Sequence, residues 1–146
     1  MKTVEINSNN LEPLVDMMLK LWPHCNRHEE QETCEKILKS DQQTCFLVQK
    51  DEQFIGFVQL ALRHDWVEGQ TQSPVGYVEG IYVEPTYRYQ NIARNLIKVA
   101  EEWSIKNGCA ELGSDVELGN NDSIAFHKKA GFTEENRIVC FIKKIS

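Results

Sequence analysis

The sequence predicts a mixed α+β fold, with a central, mostly antiparallel sheet flanked by helices. Three observations predict it. Residues 73–100 (SPVGYVEGIYVEPTYRYQNIARNLIKVA) read as a strand, a tight turn and a long amphipathic helix. Residues 44–49 and 54–62 are two apolar runs joined by the charged turn Lys50-Asp51-Glu52, which signals a hairpin. Beyond the long helix the order strand, helix, strand continues, and two helices precede the hairpin, so the sheet is covered by helices.

Each element has its own reason. Residues 2–6 alternate and read as a first strand. Asn9 or Asn10 is placed to cap a helix with Pro13 in its first turn. Leu11, Leu14, Val15, Met18, Leu19 and Trp22 form its apolar face, and Pro23 ends it. A second helix over 29–39 carries Cys34, Ile37 and Leu38 on a narrow stripe. After the hairpin, residues 63–73 read as a polar loop holding Trp66 and Gly69. The central strand, 76–83, is rich in β-branched and aromatic residues, and strict alternation puts Tyr77, Glu79, Ile81 and Val83 on one face. Glu79 stands out, because a carboxylate among apolar neighbours needs a partner. Pro85 ends that strand. The helix starting near Asn91 buries Ile92, Leu96, Val99, Ala100 and Trp103 and stops at Asn107-Gly108. Residues 109–115 read as a short strand, 118–122 as a loop and 123–130 as a helix stopped by Gly131. Residues 137–143 read as a last strand, alternating Ile138, Cys140 and Ile142 against Val139, Phe141 and Lys143.

Bulk properties exclude several classes. The 146 residues read as one domain, 1–146, long enough for its own core. Hydrophobic content of 41% and charged content of 26% set it among soluble globular chains. No apolar run approaches the roughly 20 residues that span a bilayer. The opening MKTVEINSNN lacks the apolar core of a secretion signal. The five Cys (25, 34, 45, 109, 140) form no CxxC pair and read as reduced thiols of a cytoplasmic protein. A net charge of −6 argues against nucleic acid and against anionic membranes, and suits a cationic partner. His24, Cys25 and His28 have no fourth ligand or matching cluster, so no metal site is expected.

A strand feeding a turn that opens a helix gathers unpaired backbone N–H groups at one spot. The helix dipole adds positive potential there, and the spot favours phosphate. The turn Arg88-Tyr89-Gln90-Asn91-Ile92-Ala93 resembles the pyrophosphate loop of the GCN5-related N-acetyltransferases, Gln/Arg-x-x-Gly-x-Gly/Ala, with Arg88, Asn91 and Ala93 at the pattern positions. Asn91 stands where the pattern has Gly, and Asn enters the left-handed backbone region more readily than most residues. The segment Asn120-x-x-Ser123-x-x-Phe126-His127-x-x-x-Gly131-Phe132 is similar to that superfamily's closing segment. The runs LWP, TQSPVGYVEGIYVEP, SDVELGN and FHKKAGF together resemble the bacterial aminoglycoside 6'-N-acetyltransferases over nearly the whole chain.

The resemblance implies an N-acetyltransferase domain with a V-shaped cofactor cleft at the central strand. It implies acetyl-CoA as co-substrate, an aminoglycoside as acceptor, antibiotic resistance as the consequence and a homodimer as the assembled form. By the same resemblance Arg88, Tyr89, Gln90, Asn91, Ile92, Ala93 and Arg94 hold the pyrophosphate. The pantetheine arm runs along Ile81, Tyr82 and Val83, with the Val83 N–H at the oxyanion, and Asn120, Ser123 and Phe126 also contact the cofactor. Trp22, Trp66, Glu79, Asp115 and Asn136 fall at substrate positions, although the subfamily often carries Glu at 136. Asp115, or Glu79 acting through a water, is the expected base. His127 stands where many members carry a tyrosine proposed to protonate the leaving thiolate.

Plainer readings stand beside these. Arg88 reads equally as a surface arginine, Asp115 as a loop cap, Asn120 as a helix cap and His127 as a packing residue. Tryptophans are most often core, and Trp103 on the helix stripe is expected there. Two other functions stay open at this level: acetylation of another amine (polyamine, peptide or protein), and a non-catalytic acyl-CoA-binding module.

Overall fold

The computed structural model describes residues 1–146 throughout. In chain order the elements are β1 (Lys2–Glu5), α1 (Leu11–Leu21), α2 (Arg27–Lys39), β2 (Gln43–Lys50), β3 (Gln53–Arg63) and β4 (Val75–Val83). A 3₁₀ turn (Pro85–Tyr87), α3 (Ile92–Lys106), β5 (Leu112–Ser114) and α4 (Asn121–Lys129) follow. The chain divides into two compact units, residues 1–115 and 116–146.

The first unit is a five-stranded sheet in the order β1-β2-β3-β4-β5. All neighbours are antiparallel except β4 and β5. The hairpin between β2 and β3 turns at Asp51, whose φ of 55° lies in the left-handed region that Asp tolerates. Parallel strands need a long crossover, and α3 supplies it between β4 and β5. The expected mixed, mostly antiparallel sheet is therefore present. Leu14, Val15 and Met18 of α1 and Cys34 and Ile37 of α2 form one core with Leu47, Phe57 and Tyr82 of the sheet. Helix α3 packs on the sheet through Ile92, Leu96, Ile97 and Ala100. Full burial of each large side chain favours this arrangement by roughly 1.5–3 kcal/mol.

Trp103 departs from expectation. It is half-buried and lines a shallow groove with Leu38 and Ser40, while Ser104 takes the buried position on α3. The reason is a close approach at Gly76, where an added Cβ would meet the Ser104 Oγ at 2.0 Å. Only a small side chain fits the helix there. The Ser104 hydroxyl donates back to the Ala100 carbonyl at 2.8 Å and so stays satisfied.

The expected single face of β4 is also corrected. The register with β3 shifts at Gln59/Leu60, so that Gln59 opposes Gly80 and Leu60 opposes Val78. Glu79 is the extra residue of a β-bulge, which breaks the alternation. Below it, Gly76 faces Ser104 of α3. Above it, Gly80 faces Trp22 at the end of α1, and Tyr82 enters the α1–α2 core. Strict alternation would put Gly76, Gly80 and Tyr82 on one side. Tyr77 and Glu79 therefore share the α1 side with Gly80 and Tyr82, and Ile81 and Val83 turn the other way.

The second unit contains α4 and a long tail. Asn120 caps α4, its Oδ1 accepting from the Ser123 N–H at 3.2 Å. Gly131 adopts φ 100°, as the expected stop requires. The last strand expected over 137–143 is absent, and the tail has no regular structure. Its apolar residues face solvent: Val139 is 78% exposed, Phe141 92% and Ile142 98%. A strand exists only with a neighbour for its backbone groups, and this tail has none.

Candidate active site

β5 ends at Ser114 and delivers Asp115 beside β4. The Tyr77 hydroxyl donates to Asp115 Oδ2 at 2.5 Å. Burial, and then Asp115 itself, push the Tyr77 hydroxyl well above its ordinary value, so it remains a phenol donor. Gly113 makes the approach possible, because an added Cβ there would lie 2.9 Å from the Tyr77 ring. The partner that Glu79 needed is Arg63, the last residue of β3. Its Nε and Nη2 reach Oε1 at 2.9 and 2.5 Å, and Nη2 reaches Oε2 at 2.8 Å. The guanidinium lies over the Tyr77 ring, 3.5 Å from its centre. Tyr77, Glu79, Arg63 and Asp115 thus form one cluster.

Two tryptophans lie on neighbouring elements, Trp22 just after α1 and Trp66 on the loop after β3. Trp22 is half-buried at the end of α1, edge-on to Phe57 at 6.4 Å, and its ring lies where a side chain on residue 80 would be. It packs against β4 at Gly80, the residue after Glu79. Trp66 is 71% exposed, on a loop pinned by Val67, which is buried with Val75 and Tyr77. The Glu111 carboxylate holds the far side of that loop, accepting from the backbone N–H of Thr71 at 2.7 Å and of Gln72 at 3.2 Å. These bonds hold the Glu111 carboxyl below the usual range. An exposed indole beside Asp65 and Glu68 can stack on a sugar ring and attract ammonium groups.

The second feature is the open edge of β4. β5 pairs with β4 only from Gly76 to Val78, and no strand pairs with that edge from Glu79 to Val83. A linear amide chain can add there as a further strand would. Ile81 is half-buried, while Tyr82 and Val83 are each 8% exposed, so only their backbones are offered. Tyr82 is tied by its hydroxyl to Glu84, which pairs with Lys20.

Beyond β4 the turn has the form that phosphate requires. Asn91 has φ 64° and ψ 14°, the left-handed conformation expected of it, and directly precedes α3. Tyr89 is also left-handed, at φ 65°, with a fully exposed side chain. A bulky residue there is strained. The first bond back to the turn is from Asn95 N–H to Asn91 O, so the N–H groups of Ile92 and Ala93 are not used within the helix. They suit a pyrophosphate. The Ile92 side chain is buried and takes no part. Gln90 is exposed. Arg88 Nε donates to the Val83 carbonyl at 3.0 Å, so Arg88 also caps the strand.

In the second unit, His127 Nδ1 lies 2.7 Å from the Ser123 carbonyl and 3.5 Å from the Ser123 Oγ. A carbonyl only accepts, so the ring carries a proton on Nδ1. The ring sits between Phe126 and Phe132, at 5.6 and 5.0 Å. Asn136 is exposed, and its Oδ1 accepts from the Arg137 N–H at 2.8 Å.

A turn whose backbone N–H groups suit a pyrophosphate lies next to an unpaired strand edge, and together they can accept an acyl-CoA. The family model of the acetyltransferase (GNAT) family matches residues 11–132. An aminoglycoside N(6')-acetyltransferase type 1 of Serratia marcescens is 36% identical, over 94% of this chain and 94% of its own. The chain belongs to the GNAT family, in its aminoglycoside N(6')-acetyltransferase branch. The aminoglycoside N-acetyltransferase AAC(6')-Iy, solved with CoA, is 32% identical and covers 98% of this chain and 94% of its own, with a TM-score of 0.96. The same enzyme solved with the bisubstrate analogue CoA-S-monomethyl-acetylneamine has a TM-score of 0.95, over 98% of this chain and 97% of its own.

Sequence reasoning missed two members of this cluster, Tyr77 and Arg63. The sequence reads Arg63 as the start of the loop, yet it closes β3. The available signal is Glu79: a mid-strand carboxylate demands a cation on the neighbouring strand.

Proposed function

We propose that this protein transfers an acetyl group from acetyl-CoA to the 6'-amine of aminoglycosides. One observation carries the reading: the likeness to the relative solved with CoA-S-monomethyl-acetylneamine, at a TM-score of 0.95 over 98% of the chain. Acetyl-CoA supplies the acyl group as a thioester. The backbone N–H groups opening α3 and the turn at Asn91 hold its pyrophosphate, and the edge of β4 at Ile81 and Val83 aligns the arm. The Val83 N–H steadies the developing oxyanion, an interaction worth about 3 kcal/mol. Orientation contributes most to the rate, since aligned groups reach effective molarities of roughly 10⁵ M or more.

Asp115 receives the acceptor ammonium and takes its proton. Glu79 is the weaker candidate for base, because both of its oxygens are occupied by Arg63. Trp22, Trp66 and Asn136 contact the drug. Asn120, Ser123 and Phe126 complete the cofactor contacts. His127 is the candidate proton donor to the leaving thiolate, with its Nδ1 at the Ser123 carbonyl. Acetylation removes a positive charge and a donor from the drug, which weakens its hold on ribosomal RNA and confers resistance.

The working form is a homodimer in the cytoplasm. The exposed apolar tail supports a second copy, and five free thiols support a reducing compartment.

The test is Asp115→Ala. It should cut kcat/KM for a 6'-amino aminoglycoside by roughly 10²–10⁴-fold with the KM for acetyl-CoA unchanged. Near-wild-type activity would sink the assignment.

A further inference from the structure

The four-residue cluster contains two acids and one cation, and the cation touches both halves of it. Arg63 is paired by register with Val75, four residues from Glu79. Its side chain therefore runs along the sheet, over the Tyr77 ring, before the guanidinium meets both oxygens of Glu79. The ring it covers belongs to the phenol that donates to Asp115. A planar fork suits both contacts at once, a bidentate carboxylate at its edge and an aromatic ring at its face. The pair is only partly exposed, Arg63 at 40% and Glu79 at 21% of the side chain. Asp115 differs: it is engaged through Oδ2 alone, by a neutral donor.

We propose that Arg63 is the positioning residue of the acceptor site. By covering Glu79 it leaves Asp115 as the one carboxylate open to the reacting ammonium. This rests on the reading above that the acceptor is a polycationic amino sugar. Such an acceptor carries several ammonium groups. Two uncovered carboxylates would hold it in competing poses, and a displacement of 1 Å from the reactive pose can cost about 10²-fold in rate. Arg63 removes the competing pose by neutralising Glu79. It also repels any ammonium that approaches on that side, which like-charge juxtaposition makes costly.

The test is a double-mutant cycle of Arg63→Gln, Glu79→Gln and the double variant, with melting temperature and acetyl-CoA affinity as folding controls. Kinetics and calorimetric Kd use a 6'-amino aminoglycoside. Arg63→Gln should lower kcat by about 10–100-fold while Kd for the drug stays level or tightens. Glu79→Gln, which strands the cation, should raise KM by roughly 10-fold. The double variant, with neither charge, should be more active than Arg63→Gln alone. Arg63→Lys, which keeps the charge without the fork, should fall between wild type and Arg63→Gln, and it carries the comparison if the Gln variant does not fold. Wild-type kcat in Arg63→Gln overturns the proposal. So does a double variant no better than Arg63→Gln, which would reduce Arg63 to packing on Tyr77. A wild-type protein that acetylates no aminoglycoside overturns the functional reading and this inference together, whereas an active wild type with an additive cycle overturns the inference alone.

Discussion

Asp115 meets Tyr77 because Gly113 offers no side chain to hold them apart. The acid was legible in the sequence as the residue ending a short strand. Its phenol and the Arg63–Glu79 pair were not, since both depend on register. Asn91 is the opposite case. The sequence shows Asn where the family pattern has Gly, and the backbone adopts the left-handed conformation that only a few residues accept. Asn91→Val should destabilise the protein by about 1–2 kcal/mol and raise the KM for acetyl-CoA, and Asn91→Gly should do neither. Thermal melts and initial rates check this. Glu30 is a residue whose environment no pattern reveals. It is 7% exposed, and its Oε2 is buried without a partner. Burial first, then Glu29, push its carboxyl above the usual 4.5, while the Cys25 thiol opposes them in part. A raised folded value means that its stabilising effect is complete below the unfolded value and is lost as pH rises through the folded one. Glu30→Gln, which cannot ionise, should thus stabilise the protein at pH 7. The gain should vanish below the unfolded carboxyl value of about 4.3. Melting temperature against pH measures both limits, and a variant less stable at pH 7 would contradict the account.

At the scale of elements, hydrophobic period and turn signals located the four α-helices and the five strands of the sheet to within a few residues. The 3.6-residue stripes of α1 and α3 and the hairpin turn at Asp51 are local signals. The failures are non-local. The bulge at Glu79 turns Ile81 and Val83 away from Tyr77, and nothing within residues 76–83 announces it, because a bulge is a property of two strands. Ser104 replaces Trp103 in the core because Gly76 lies across from it. The tail over 137–143 has the alternation of a strand and no neighbour to pair with. Phe141, Ile142 and Ile145, each at least 90% exposed, would be a liability in an isolated chain. A second copy covering that tail would resolve the conflict between pattern and exposure. Sedimentation should accordingly give a dimer, and a chain ending after Asn136 should sediment as a monomer. A wild-type monomer would refute the assembly.

At the scale of the molecule, fold and family were legible together, because the pyrophosphate turn, the strand before it and the closing segment are continuous stretches of sequence. The acceptor site was legible only in part, being assembled from β3, β4, the loop after β3 and the end of β5. Its chemistry is that of an acidic, aromatic-edged surface with one covered and one open carboxylate, suited to a polycation. The claim that unites these observations is acetyl transfer to a 6'-amine. Free-thiol release from acetyl-CoA tests it most directly, with a panel of a 6'-amino aminoglycoside, its 6'-hydroxyl counterpart, spermidine and a lysine peptide. The account predicts rapid turnover with the 6'-amino compound and none with its hydroxyl counterpart. Turnover of spermidine or the peptide alone, or acetyl-CoA binding without turnover of any amine, would contradict it.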